Sequence, residues 1–503
     1  MSKQPPTAQD VDDQDLLDAD EAAEEILQDD NEDAAMDSDS DLEQEELNLQ
    51  NDSIAYFDTP RDSLFSIAQH PAHPSLVAVG GAAGPEEDAP GAGWIFDTAD
   101  VPGRPVLPAS FATDPASAGR QQNTQLSSVF AIEGHTDSIN AMCWTLPRGE
   151  ALVTAGLDGR IRAWKTDVRP GGPLAVSFIG EAQEVPEVNW VTPCPSPAHP
   201  NAVALGASDG SVWVYTVDPS DEANPLQIEQ SYFLHTMPCT AGAWTPDGQM
   251  LATVSEDSSL YVWDVWGEAS ARNLVGDNGM TAVSMTGEDQ RFEVEGGLYS
   301  VAIDPKGAFV AVGGAGGNIR IVSLPRLTAT ATQSQSQGRG KAAKTSADPS
   351  AGGQILAALQ TQSDSVESLA VTVAPTSTPT TLLAAGSVDG SICVYDAGRR
   401  FAVRRHLVGA HEDHSIVKLE FVAGGTWLLT SCGMDGVVRR WDLRGGGVTG
   451  GNNAGSADAG LVKEWKGHRG DGEGGGVLGF VQGQTGERII TAGDDGLALV
   501  FEA

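Results

Sequence analysis

The chain has 503 residues, of which 70 are Asp or Glu and only 29 are Lys or Arg, a formal net charge of −41. That balance excludes an autonomous nucleic-acid binder, which must neutralise phosphates with its own cations. It also excludes adsorption to anionic membrane surfaces, where the field has the wrong sign, and it favours a basic partner.

Residues 1–53 carry 20 of the acids and a single base, Lys3. Few aromatic or β-branched residues occur there, so the segment cannot bury enough apolar surface to offset its ordering entropy. A disordered acidic tail is expected over 1–53. The opening residues are polar and acidic, unlike a signal peptide, and no apolar run is long enough to span a bilayer. Five cysteines without a CxxC pair are expected to be reduced, mostly buried thiols in a cytosolic or nuclear protein.

From residue 54 onward the chain repeats itself. Ile54-Ala55-Tyr56-Phe57 is a short apolar run, and 61–97 reads as a degenerate first unit ending on Trp94-Ile95-Phe96-Asp97. Seven clearer units follow, each an apolar run, a tight turn and an alternating run ending on a large apolar residue. Turn and end residue are six apart: Asp158 and Trp164, Asp209 and Tyr215, Asp257 and Trp263, Asp389 and Tyr395, Asp435 and Trp441, Asp495 and Phe501. In one copy, Gly316 to Val322, Gly replaces the Asp. Asp-Gly between alternating runs is a strong hairpin signal, because Gly readily takes the positive φ that such turns need. An upstream strand precedes each hairpin, and repeats of this kind with four strands read as propeller blades.

The expected fold is therefore all-β, an eight-bladed β-propeller over 54–503, with flexible insertions at 326–352 and 445–459. The chain stops at the third strand of its last unit, so Ile54–Phe57 is expected to supply a strand there and close the ring, removing two sheet edges.

Several units pair a His with a downstream hydroxyl, Asp and Trp. His135, Thr154, Asp158 and Trp164 form one set; His235, Thr253, Asp257 and Trp263 another; His411, Ser431, Asp435 and Trp441 a third. His468, Thr491 and Asp495 make a partial fourth, ending on Phe501. One such set could be mistaken for a hydrolase triad. Three or four copies argue instead for buried polar groups satisfying one another inside each blade. No phosphate-cradling loop or metal-ligand spacing occurs, so neither an enzyme nor a cofactor is expected.

A different set of acids recurs just before the inner strands: Asp62, Asp137, Glu184 with Glu187, Glu295, Asp364 with Glu367, and Asp413. Glu256 and Asp494 precede the turn Asp at hairpin tips. Equivalent loops of successive blades converge at one end of a propeller channel, so most of these ten residues are expected to form an acidic ring on one face. A single-sign patch concentrates and steers a basic ligand.

Gly134-His135, Trp263-Asp264 and Trp441-Asp442 resemble the signature pairs of WD-repeat proteins. YFDTPRDSLFSIAQHP at the start, ALGASDGSVWVY in the middle and ITAGDDGLALVFEA at the end are similar to the Sqt family of ribosome-assembly chaperones and its animal relatives, the angio-associated migratory cell proteins. The resemblance implies a dedicated chaperone that captures the basic N-terminal segment of a newly made large-subunit ribosomal protein (the L-ten/L-sixteen family) and escorts it to pre-60S particles. It implies client contacts at Asp137, Glu187, Glu367 and Asp494, and extends to Glu256, Glu295 and Asp413. A general WD-repeat scaffold and a histone-type acidic chaperone stay open as alternatives. A monomer is expected, since a closed ring leaves few edges to pair.

Overall fold

Apolar runs punctuated by Asp-Gly turns fold into eight sheets arranged as the blades of a propeller, six of them built from four strands consecutive in the chain and paired antiparallel. The computed structural model describes residues 51–86, 88–103, 123–169, 174–327, 352–377, 379–424, 426–444, 460–470 and 475–503. The acidic segment expected over 1–53 lies outside these up to residue 50. So do most of the 326–352 insertion and all of 445–459. Among the described residues the only helices are three-residue 3-10 turns.

The inner strands, from blade 1 to blade 8, begin at Leu64, Ile139, Val188, Cys239, Leu298, Val366, Ile416 and Val477. Each packs against the inner strand of the next blade, and the last packs against the first, so chain order is also the order around the channel. Second strands such as Ala151–Gly156, Ala202–Ala207 and Met250–Ser255 are buried along their whole length, because neighbouring sheets cover both faces. That is why these segments read as continuous apolar runs rather than alternating ones. The core accordingly lies between blades: Val254, Leu260 and Val262 of blade 4 share one cluster with Leu298, Val310 and Val312 of blade 5.

The turns use the backbone freedom of glycine where the sequence provides it. Gly159, Gly210, Gly390, Gly436 and Gly496 all have φ between 72° and 84°. Blade 4 puts Ser258 at the same place, with φ 61°. Its hydroxyl accepts a 2.8 Å bond from the Val294 N–H, a local anchor for a residue type that ordinarily avoids this region.

Ring closure follows from the N-terminal run. Ala55–Phe57 pairs antiparallel with Ala498–Glu502, with Ala55 opposite Val500 and Phe57 opposite Ala498. Phe57 is fully buried, stacked on Phe96 of blade 1 at 4.9 Å, so one side chain ties the last blade to the first. Burying a residue of this size contributes about 2–3 kcal/mol. Anchoring starts earlier than the tail boundary drawn from composition: Ser53 is buried and the Asp52 N–H donates to the Lys466 carbonyl. A further strand, Thr124–Gln125, adds in parallel to the outside of Ala55–Phe57, so blade 8 has five strands.

Candidate functional site

The loops at the channel mouth stand on the internal polar networks. In blade 7, His411 is fully buried; its Nδ1 lies 2.8 Å from Asp435 Oδ1 and its Nε2 2.7 Å from Ser431 Oγ, which also accepts from Trp441 Nε1 at 2.9 Å. A neutral imidazole with its proton on Nδ1 satisfies these contacts, and Arg439 Nη1, 3.0 Å from the same nitrogen, then donates to Asp435 Oδ2 rather than to the ring. Burial pushes the His411 pKa down, which favours that form. Burial acts against the charge of Asp435, but the bond from His411, with the bond and charge of Arg439, outweighs it and holds the carboxyl down at about 2. Blade 2 repeats the arrangement with His135, Asp158 (3.1 Å), Thr154 (2.9 Å) and Trp164. Blade 8 repeats it with His468, Asp495 (2.9 Å) and Thr491 (2.7 Å), without the Trp.

Blade 4 departs from this pattern. His235 Nε2 meets Thr253 at 2.8 Å and Trp263 Nε1 donates to the same oxygen, but Nδ1 contacts Ser259 Oγ at 2.6 Å and stays 3.9 Å from Asp257. Ser259 passes the bond on to Asp257. Blade 6 has Gln362 where blades 2, 4, 7 and 8 have His, donating to the Ser391 carbonyl at 2.8 Å.

Above these networks lies the mouth. Every inner strand carries a β-bulge between its first and third residues. A bulge leaves the extra residue unpaired and re-aims its side chain. The eight bulged residues are Phe65, Asn140, Asn189, Thr240, Tyr299, Glu367, Val417 and Leu478. Five of them in successive blades, Asn189 through Val417, line one cavity of about 590 Å³ together with Glu187 and Glu256. Three of the ten acids singled out from the sequence, Glu187, Glu256 and Glu367, thus converge there from blades 3, 4 and 6.

Electrostatics tie the group together. Burial, then the neighbouring charge of Asp364, pushes the Glu367 carboxyl above its usual range. Tyr299, which donates to the Gly296 carbonyl at 2.6 Å, has its phenol pushed up by burial and then by Glu256 and Glu367. Asp62, Asp137 and Asp364 share one posture in blades 1, 2 and 6, each accepting the N–H of the following serine at 2.7–2.8 Å. Asp494 accepts the Ser63 hydroxyl across the seam between blades 8 and 1. Among the described residues, none of the ten carboxylates forms an ion pair with a Lys, Arg or His.

Three members fall elsewhere or stand apart. Glu184 lines a separate depression with Glu181 and Glu222 beside the outer strands of blades 2 and 3. Glu295 and Asp413 are exposed on their loops and line none of the cavities described. Of the bulged residues only Glu367 was singled out from the sequence; the other seven, Tyr299 above all, were not. Aligning the units on the first apolar residue of each inner strand would have found them. Among the described residues no cluster of His, Cys, Asp and Glu could hold a metal ion, and no helix is long and apolar enough to cross a membrane. The five cysteines are free and buried, and burial pushes the Cys143 thiol up to about 12.

Comparison with known proteins gives this architecture a lineage. The "WD domain, G-beta repeat" family matches residues 126–165, 227–264, 353–396 and 404–442. The first two matches each take in the outer strand of one blade and run through three strands of the next. The crystal structure of Chaetomium thermophilum Sqt1 is 55% identical in sequence, covers 90% of this chain and 98% of its own, and superposes with a TM-score of 0.75. The chain belongs to the Sqt1 family. A second Sqt1 structure from the same organism, also 55% identical with a TM-score of 0.75, is bound to the N-terminus of the ribosomal protein L10; it covers 90% of this chain and all of its own. More distant members of this lineage are the ribosome assembly protein SQT1 of Saccharomyces cerevisiae, 25% identical over 91% of this chain and 88% of its own, and the human angio-associated migratory cell protein, 26% identical over 74% and 69%.

Proposed function

We propose that this chain is a dedicated ribosomal-protein chaperone. It binds the basic N-terminal segment of a newly made large-subunit protein of the L10 family at the acidic channel mouth and escorts it to pre-60S particles in the cytoplasm. The observation that carries this reading is the Chaetomium thermophilum relative, 55% identical over nearly its whole length and bound to the N-terminus of L10. The unpaired carboxylates Glu187, Glu256 and Glu367 around one cavity supply the chemistry. A client built to bind ribosomal RNA carries Arg and Lys that would attach to any polyanion; carboxylates offer Arg bidentate partners and cover that charge until RNA competes it away. The protein acts by binding alone. Asp62, Asp137, Asp364 and Asp494 extend the acidic surface outward from the mouth, and Glu295 and Asp413 add charge on their loops. Glu184, in its own depression, contributes only to the long-range field.

Isothermal titration of the chain with the N-terminal peptide of the same organism's L10, against a scrambled peptide of equal charge, tests the reading. Tight binding of the native order alone is expected. Equal binding of both peptides fits a generic acidic scaffold, and preference for histone peptides fits a histone-type chaperone; either result sinks the proposal.

A further inference from the structure

The bulged ring at the channel mouth is chemically divided, and the division falls along consecutive blades. Asn140, Asn189 and Thr240 of blades 2 to 4 donate to the backbone carbonyl of the first inner-strand residue of the next blade: Val188 at 2.6 Å, Cys239 at 3.0 Å and Leu298 at 2.7 Å. Tyr299 of blade 5 keeps its ring at the cavity, and Glu367 of blade 6 adds an unpaired carboxylate. The remaining three positions, Val417, Leu478 and Phe65, belong to blades 7, 8 and 1, adjacent across the closure seam. They have no polar atom with which to bridge blades. Val417 and Leu478 are half-buried, and Phe65 is 43% exposed.

A single exposed apolar residue needs no explanation. Three in succession at equivalent positions, facing an arc of polar and acidic ones, are a different matter. A ligand held only by charge would gain nothing from them. We infer that Phe65, with Leu478 and Val417, seats an aromatic or aliphatic side chain of the client, so that the mouth selects a segment in which apolar residues accompany the basic ones. This rests on the client reading above, and the occupant is the same basic N-terminal segment. Its cations meet Glu187, Glu256 and Glu367 on blades 3, 4 and 6, while an apolar side chain is covered on blades 7, 8 and 1. Charge complementarity at one side of the cavity brings the segment there. Val417, which lines that cavity, makes the apolar arc continuous with the acidic one. Removing exposed aromatic surface from water on binding adds discrimination that charge alone cannot give.

The test is a two-by-two titration with full-length protein. One peptide is the N-terminal segment of the organism's own L10; the other replaces its aromatic and aliphatic residues by Ser at unchanged charge. Phe65→Ser is expected to weaken the first peptide about five- to tenfold, with Phe65→Leu restoring most of the loss. The Ser-substituted peptide is expected to bind the natural protein more weakly by a similar factor and to be indifferent to Phe65→Ser, the coupling that a double-mutant cycle reads. Leu478→Ser repeats the test one blade away, and the peptide arm needs no variant to fold. If both variants and both peptides bind alike while Glu187→Lys still weakens binding, this inference fails and the client reading stands. If the natural protein binds neither peptide, both fail.

Discussion

The hydroxyl of Ser63 lies 2.5 Å from Oδ1 of Asp494, joining residues 431 positions apart across the seam between blades 1 and 8. Asp494 is thus a clasp of the ring as well as one of the ten acids. Asp494→Ala removes the carboxylate and leaves the Ser63 hydroxyl only the backbone carbonyl of residue 494, at 3.1 Å; it is expected to cost about 1 kcal/mol of stability, read by urea denaturation. Asp494→Asn keeps an oxygen for Ser63 and removes the charge. It should denature like the natural protein yet bind the client peptide more weakly. Loss of stability in both variants would show that the charge itself holds the seam.

The three-residue strand Ala55–Phe57 carries the rest of the closure. Deleting residues 54–58 strips Phe57 from its place against Phe96 and exposes two strand edges. The melting temperature is expected to fall by about 5 °C or more, whereas deleting residues 1–45 should change it by about 1 °C or less. Differential scanning calorimetry on the two truncations decides it, and equal small shifts would mean that the ring holds without its N-terminal strand.

Particular residues show what could be read beforehand. Asp158, Asp435 and Asp495 and their turns were legible because Asp-Gly hairpins are local, and the missing strand of blade 8 followed from counting strands. The relay through Ser259 was not, because Ser, Asp and His in one unit allow several pairings and only packing selects one. Thr124–Gln125 has no pattern of its own; a two-residue parallel strand exists only because Ala55–Phe57 offers it an edge. Glu184 was grouped with Glu187 by proximity in sequence, yet three residues carry the chain from one depression to another. The bulge is the largest gap. It shifts each inner strand by one residue, so that the position facing the mouth is hidden from simple alternation.

Acid should unfold the protein in two stages. His70 is buried beside Trp144, and burial, then the charge of His73, lowers its pKa from 6.5 to about 4 against an opposing bond at Gly149. His411 shifts in the same direction by burial. A depressed histidine contributes stability that is full above its unfolded value of 6.5 and is lost as pH falls towards the folded value, about 4 for His70. Asp435, lowered from 3.8 to about 2, contributes about 2 kcal/mol above its unfolded value that disappears between pH 4 and 2. Urea titrations at pH 7, 5 and 3 are expected to show both losses. His70→Asn offers an oxygen to the Ala72 and His73 N–H groups that now donate to Nδ1. It should flatten the first stage and leave the second; an unchanged slope between pH 6.5 and 4 would remove His70 from this account.

Charge at the mouth gives the last prediction. Glu187, Glu256 and Glu367 line one cavity without a cationic partner among the described residues, so each is open to a guanidinium or ammonium from the client. A charge-assisted contact contributes about 1.5–3 kcal/mol, and exposed pairs are screened over about 8 Å at physiological ionic strength. Reversal at one site, Glu187→Lys or Glu367→Lys, is expected to weaken the L10 N-terminal peptide by about threefold or more, and the pair together by more than either alone. Glu184→Lys, in its own depression, should change affinity far less when read at the same salt. Affinity of the natural protein should fall steeply between low and high salt, and the slope should be shallower in the double variant because fewer charges remain to be screened. Peptide binding that holds at high salt, or that survives both reversals, would place the client somewhere other than the channel mouth.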